Sequence, residues 1–292
     1  MNIKSVVIPV AGMGTRFLPA TKSIPKEMLP VLDKPLLHYA IEEAKGAGIK
    51  KFIFVTNPNN KFPKLYLSEN KTLEKYLRLK KKNKILKQIK DITLKDNNVK
   101  LVYQKKPLGL GDAIYQAKKY IDKEDFAVVL PDDLILGKNC LQELIKVYKN
   151  NKSSVIGVMN VQPHEVEKYG IIKGIIKKTK ISKVKELVEK PKAKNAPSTL
   201  AVVGRYILKN SIFEYLGKVS KGAGDEIQLT DALSISAKHE NVFSYKFSGQ
   251  RYDCGSKLGF LKAQIACALS DSSINKSIKE ELLALLQKGI NK

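Results

Sequence analysis

Acid is what this chain of 292 residues lacks most: 28 Asp and Glu stand against 53 Lys and Arg, a formal charge of +25. Cysteine is scarce too. Cys140, Cys254 and Cys267 are scattered, which excludes a paired-cysteine metal centre and an even disulfide framework and fits a reducing cytoplasm. His38, His164 and His239 have no partners at catalytic spacing, which weighs against a Ser-His-Asp hydrolase. No apolar run is long enough to cross a membrane, and no small-residue cleavage site follows an N-terminal apolar segment, so neither a membrane partner nor a signal peptide is expected. Internal repeats, low-complexity tracts and flexible linkers are also missing, which leaves one continuous unit.

The surplus of base does not by itself nominate nucleic acid. Its densest run, "RLKKKNKILKQIK" from Arg78 to Lys90, has neither interleaved aromatics nor a recognition helix and reads as a solvated helical face. What the chain does have is 43% hydrophobic residues, enough for a length that buries roughly 75% of its unfolded surface.

Apolar segments alternate with amphipathic ones, the pattern of an α/β protein with a Rossmann-like, mixed but mainly parallel central sheet flanked by helices. The first half reads as a buried strand at Val6 to Val10, a helix carrying Leu37, Ala40, Ile41 and Ala44 on one face, and a strand "KFIFVT" at Lys51 to Thr56. Residues 57–98 show basic helical stretches without a strand and read as an insertion. The strands "VKLVY" and "FAVVLPDD" come next. From about 169 to 207 the texture changes to short strands, "YGIIKGII", "KVKELVEKP" and "LAVVGRYIL", a small β-rich part. A loop "GQRYDCGSK" leads to a last helical region, and residues 271–292 form a helical tail after a main unit of 1–270.

The opening stretch, "VVIPVAGMGTRFLPATKSIPKEMLP", runs a buried strand into a loop where Pro19, Pro25 and Pro30 forbid a regular helix. Gly12 and Gly14 let the backbone approach a ligand, and Arg16, Lys22 and Lys26 crowd three cations at the carboxyl end of the strand, where open α/β sheets bind ligands. A phosphate loop is indicated, although neither the P-loop nor the dinucleotide fingerprint fits its spacing. The alternatives are a structural turn and cations splayed into solvent.

Two further constellations carry chemistry. In "LPDD", Asp132 and Asp133 end a strand at the same sheet edge, and Asp132 is a candidate Mg²⁺ ligand because that ion is held by one or two carboxylates plus phosphates. Asp133 reads equally as a helix cap. In "VEKPK", Glu189 and Lys190 point to opposite faces of a strand unless the chain bends, and Pro191 allows a bend; an ordinary surface pair is the alternative. Asp253, alone in its loop, reads as a cap or turn residue.

Taken in order, the opening stretch with "GLGDA", "LPDD", "YGII", "VEKPK", "APSTLAVVGRYIL", "GAGDEIQLTDAL" and "YDCGSKLG" resembles the bacterial UTP–glucose-1-phosphate uridylyltransferases, within the sugar nucleotidyltransferases, from Ile3 to about Ala268. The resemblance implies that UTP and glucose 1-phosphate give UDP-glucose and pyrophosphate, with Mg²⁺ as cofactor, in a cytoplasmic homo-oligomer. A thymidylyl- or cytidylyltransferase acting on a related sugar phosphate is the runner-up, and a basic nucleic-acid-binding protein the reading from another class. By resemblance, Ala11, Gly12 and Gly14 meet the nucleotide, Glu27 and Gln104 read the base, and Gly109 starts the helix beside it. Arg16 and Lys26 hold the triphosphate, and Asp132 and Asp253 share the metal. Gly170, Glu189, Lys190 and Gly204 line the sugar-phosphate site in the β-rich part, Lys190 on the phosphates; the backbone should kink at Glu189. Where the family commonly carries lysine before "GLG" and histidine after it, this chain has Leu108 and Asp112.

Overall fold

The computed structural model describes residues 2–175 and 179–288. Ile176, the last residue of "YGIIKGII", and residues 289–292 of the tail lie outside the described residues. In chain order the strands are β1 (Ser5–Val10), a minimal hairpin of β2 (Pro30–Val31) and β3 (Lys34–Pro35), β4 (Lys51–Thr56), β5 (Val99–Tyr103), β6 (Phe126–Val129), β7 (Asp133–Leu136), β8 (Ser154–Asn160), β9 (Gly170–Ile175), β10 (Ile181–Glu189), β11 (Leu200–Leu208), β12 (Val242–Lys246) and β13 (Gln250–Asp253). The helices are α1 (Leu36–Gly46), α2 (Phe62–Leu67), α3 (Lys71–Leu79), α4 (Asn83–Ile92), α5 (Leu110–Gln116), α6 (Cys140–Asn151), α7 (Ile212–Leu216), α8 (Leu229–His239), α9 (Lys257–Ser270) and α10 (Asn275–Lys288).

Nine strands form one sheet in the order β5-β4-β1-β6-β11-β8-β12-β10-β9. Successive residues of β1 point to opposite faces, and both faces are apolar because both are covered. Val6, Ile8 and Val10 pack with Leu37 and Ile41 of α1 and Leu144 of α6. Val7 faces the other way, among Ala113 and Ile114 of α5 and Leu229 of α8.

The mainly parallel sheet expected from the sequence is parallel over β5-β4-β1-β6, and beyond β6 it is antiparallel except where β12 lies along β8. The β-rich stretch 169–207 is continuous with that sheet: β11 pairs β6 and β8, and β10 pairs β9 and β12. Two local readings change. "QRYD" is strand rather than loop, because β13 pairs with β7 in a two-stranded ribbon. The segment from Thr15 to Met28 is three short 3₁₀ turns rather than an extended loop, since a turn that closes after three residues fits between prolines.

Candidate active site

The end of β1 opens into a cleft of about 410 Å³ lined by Ala11, Gly12, Thr21, Lys22, Asn57 to Asn60, Phe62, Gln104 and Pro107. Gly14 makes the turn that shapes its floor: it stands at φ 65°, and a Cβ there would lie 3.1–3.3 Å from Thr21 and Lys26. Folding back this way lays the Lys26 stem against Gly12, 3.5 Å from where a Cβ would sit. Beside it Glu27 is buried, with Oε1 accepting from Asn60 Nδ2 at 2.7 Å and Oε2 without a partner among the described residues. Burial pushes the Glu27 carboxyl up to about 7 against the pull of the Asn60 bond and of Lys26. On the far wall, Gln104 continues β5, its N–H donating to the Thr56 carbonyl, and its side-chain Nε2 donates to the Gly109 carbonyl at 3.1 Å. Gly109 is at φ 98°, and a Cβ would come within 2.7 Å of Glu226, so the turn into α5 closes only without a side chain.

The carboxylates come together at the other end of the cleft. Lys26 Nζ lies 2.5 Å from Asp132 Oδ2 in a partly buried ion pair. Burial opposes charge on Asp132, yet the ammonium and hydrogen bond of Lys26 hold its carboxyl below the usual range, and Asp132 in return raises Lys26. The β7–β13 ribbon sets Asp133 directly opposite Asp253. Gly255 is the focus of the arrangement. A Cβ on it would sit 3.0 Å from Asp253 Oδ1, 3.4 Å from Asp132 Oδ2 and 3.6 Å from Arg16 Nη1, and Arg16 donates to its carbonyl at 3.3 Å. Both expected metal carboxylates therefore face one point.

The third group lies on β9, β10 and β11. Glu189 is the last residue of β10, opposite Gly170, and its Oε2 accepts from the Thr230 hydroxyl at 2.5 Å. A Cβ on Gly170 would sit 3.0 Å from Thr230 Cγ2 and 3.2 Å from that same Oε2, so a side chain there would press on the Glu189–Thr230 pair. The expected kink is present one residue later than anticipated: Lys190 takes the left-handed conformation, φ 44°, a strain of about 1–3 kcal/mol for a residue with a side chain. Its Nζ stays 3.6 Å from Glu189 Oε1, so the bend puts acid and base on one side. At Gly204 the amide donates to Asp133 Oδ2 at 2.7 Å and the carbonyl accepts from Leu130 and Arg205, so both its polar groups are already engaged; a Cβ would strike Leu130 at 2.5 Å.

A nucleotide-sized cleft, a focus of two carboxylates and two cations, and a kinked acid–base pair thus share one sheet edge. The family model described as nucleotidyl transferase matches residues 5–268. The chain is 46% identical over 280 residues, 96% of each chain, to a protein named UTP–glucose-1-phosphate uridylyltransferase 2 from Staphylococcus saprophyticus. It is similar to the solved UTP-bound UGPase from Acinetobacter baumannii, with TM-score 0.88 and 40% identity over 97% of this chain and 99% of that one. It is likewise similar to a UDP-glucose pyrophosphorylase complexed with UDP-glucose, with TM-score 0.83 and 40% identity over 92% of this chain and 100% of that one. The chain belongs to the nucleotidyl transferase family.

Among nucleotidyl transferases its likeness is to the UTP–glucose-1-phosphate uridylyltransferases, as the ordered motifs implied. Several residues that build this nucleotidyl transferase's site escaped sequence reading. Asp133 is no helix cap. It opens β7 and ties three segments together, since one oxygen takes the Gly204 amide and the other the Arg251 guanidinium, at 2.6 Å from Nε. Facing carboxylates across a ribbon repel. Arg251 lies between them, with Nη2 3.7 Å from Asp253 Oδ1, and also donates to the Tyr169 hydroxyl at 2.9 Å. Had "QRYD" been read as a strand, the period of two would have put Arg251 and Asp253 on one face. Asn60 and Phe62 show that the insertion contributes cleft wall at its start, and His38 is partnered after all, by the Tyr66 hydroxyl at 2.7 Å and Glu42 at 3.0 Å, which ties α2 to α1. The contacts of Asp133, Asn60 and Tyr66 span long stretches of chain and left no local signal, whereas His38 and Glu42 are four residues apart on α1 and could have been read as a pair.

Proposed function

We propose that this chain transfers the uridylyl group of UTP to glucose 1-phosphate, releasing pyrophosphate and forming UDP-glucose. The observation that supports it most directly is the convergence of Asp132, Asp253 and Arg16 on Gly255, between the glycine-turn cleft and the Glu189–Lys190 bend. In-line transfer between two polyanions needs positioning and charge neutralisation rather than a side-chain nucleophile.

Two carboxylates suit Mg²⁺, which keeps several waters and takes its remaining oxygens from phosphates, and no cluster of three or more His, Cys, Asp or Glu side chains that would suggest a protein-only cage occurs among the described residues. The Lys26 ammonium against Asp132 also indicates that this carboxylate is offered to positive charge. Mg²⁺ held by Asp132 and Asp253 would neutralise the charge on both sets of phosphate oxygens. Lys26 would pass from Asp132 to the triphosphate as the nucleotide enters, and Arg16 would follow the departing pyrophosphate. The phosphate of glucose 1-phosphate attacks the α-phosphorus while the bond to pyrophosphate breaks, so the protein forms no covalent intermediate. Ala11, Gly12 and Gly14 would admit the nucleotide closely, and Glu27, Gln104 and Gly109 would surround its base. Glu189 would accept from sugar hydroxyls, Lys190 would hold the sugar phosphate, Gly170 would flank Glu189, and Gly204, although by resemblance part of the sugar site, packs against Leu130 and Asp133.

The reading includes a cytoplasmic enzyme that assembles with copies of itself; exposed Leu65 and Leu79 of the insertion and Leu283 and Leu286 of α10 support the latter, and sedimentation tests it. No described helix is long and apolar enough to cross a membrane. The deciding experiment offers UTP, dTTP, CTP and ATP in turn with glucose 1-phosphate and Mg²⁺ and follows pyrophosphate release. UTP should be preferred. Preference for dTTP or CTP would make the enzyme a thymidylyl- or cytidylyltransferase and reject the named substrate.

A further inference from the structure

Asp112 does something specific to Gln104. It lies in the first turn of α5, where the helix dipole favours a carboxylate, and it is 7% exposed. Its Oδ2 accepts from Gln104 Nε2 at 2.7 Å, and its Oδ1 accepts from Gln116 Nε2 at 3.0 Å. The same Gln104 nitrogen also donates to the Gly109 carbonyl at 3.1 Å.

An ionised carboxylate and a backbone carbonyl can only accept, so the amide nitrogen of Gln104 must face them; the chemistry of its partners fixes which end of the amide is which. Both amide hydrogens are thereby used. Oε1 accepts from no described residue, is not sealed in the interior, and belongs to a side chain that lines the cleft. Gln104 can therefore offer an entering base an acceptor and no donor.

We propose that Asp112, by locking the Gln104 amide, makes the cleft selective for a nucleobase that presents an imino N–H, as uracil does, over one that presents a bare ring nitrogen there, as cytosine does. The inference rests on the reading of this cleft as the nucleotide site. Uracil N3–H donates to Oε1. Cytosine N3 would set its lone pair against that oxygen, leaving both unpaired, and a site built for a hydrogen bond rejects an analogue that cannot make it. Thymine carries the same N–H, so UTP and dTTP are not separated by this device. Asp112 acts through Gln104 and is a positioning residue.

The test compares kcat/KM for UTP and CTP in the full-length enzyme and its variants. Asp112→Leu keeps the branch at Cγ, adds bulk and removes the acceptor, freeing the amide to turn, and should narrow the UTP-to-CTP ratio about tenfold or more, about 1.4 kcal/mol. Asp112→Asn should restore most of the ratio, because Oδ1 can still accept from Gln104 while Nδ2 turns to Gln116, an exposed partner free to reverse. A purely structural role would lower both substrates equally. If Asp112→Leu does not fold, Asp112→Ala carries the same comparison, and in the unaltered enzyme N3-methyl-UTP should bind at least tenfold more weakly than UTP. A ratio within twofold of the unaltered enzyme's in a folded variant, or equal binding of N3-methyl-UTP, overturns the inference. An unaltered enzyme that uses CTP as well as UTP also overturns the inference, whereas one that prefers dTTP to UTP overturns the functional reading and leaves the inference standing.

Discussion

Arg205 is 1% exposed, and every donor of its guanidinium is engaged. Nε and Nη2 reach Glu43 Oε2 at 2.9 and 2.8 Å, Nη1 donates to the carbonyls of Leu130 and Gly204 at 2.9 Å, and Nη2 donates to the carbonyl of Asp133 at 2.7 Å. Arg205→Met keeps an apolar stem and removes all of this. Breaking a buried ion pair from one side destabilises by about 3–5 kcal/mol, because the remaining charge is stranded. The carbonyls of Leu130 and Gly204 retain the amides of Asp133 and Leu130. The Asp133 carbonyl, for which no other side-chain donor occurs among the described residues, loses the Arg205 bond, adding about 1–3 kcal/mol. A total of about 4–8 kcal/mol is a large part of a domain's stability and corresponds to a fall in Tm of about 10 °C or more. Calorimetry on Arg205→Met, Glu43→Gln and the double variant measures it. The double variant should melt above Arg205→Met, since removing the stranded carboxylate relieves most of the penalty. A single variant within about 3 °C of the unaltered protein, or a double variant that merely sums the two losses, would refute the argument.

Three other outcomes are expected. Asp132→Asn and Asp253→Asn should each lower turnover by about 10² to 10³ with circular dichroism unchanged, and near-normal turnover would remove that residue from the site. Lys190→Ala should lose about 10² to 10³ in rate, whereas Lys190→Gly should lose the same rate yet melt higher, because φ 44° is unstrained for glycine; a lower Tm for the glycine variant contradicts the strain. Glu27 binds its proton more tightly folded, near pH 7, than unfolded, near 4.5, so its contribution is full below pH 4.5 and lost as pH rises to 7, about 3 kcal/mol in all. Glu27→Gln should therefore gain on the unaltered protein between pH 5 and pH 8, and parallel Tm profiles would show the carboxyl to be unshifted.

The parts legible in the sequence are those encoded by neighbours along the chain. β4 coincides with "KFIFVT", since a strand covered on both faces needs an unbroken apolar run, and the edge strand β5 coincides with "VKLVY", which is rich in β-branched and aromatic residues. α1, the glycine turn and the bend at "VEKPK" were equally visible, because helical period, φ above zero and the restriction before proline are local. Motif order carried the family.

Partnership across distance was not legible. Asp133, read as ending a strand or capping a helix, ties Gly204 to Arg251, and "QRYD" becomes a strand only because β7 offers it an edge. Residue types and their spacing were enough to settle which strands and turns form and which chemistry the chain is equipped for. Folding alone decided that Asp132, Asp253 and Arg16 meet at Gly255, that Arg205 binds the strands behind them, and that Asp112 takes the amide nitrogen of Gln104. The reason is physical: burial pattern repeats along a chain and can be read from it, whereas a hydrogen bond between remote side chains exists only once strand register has set their separation.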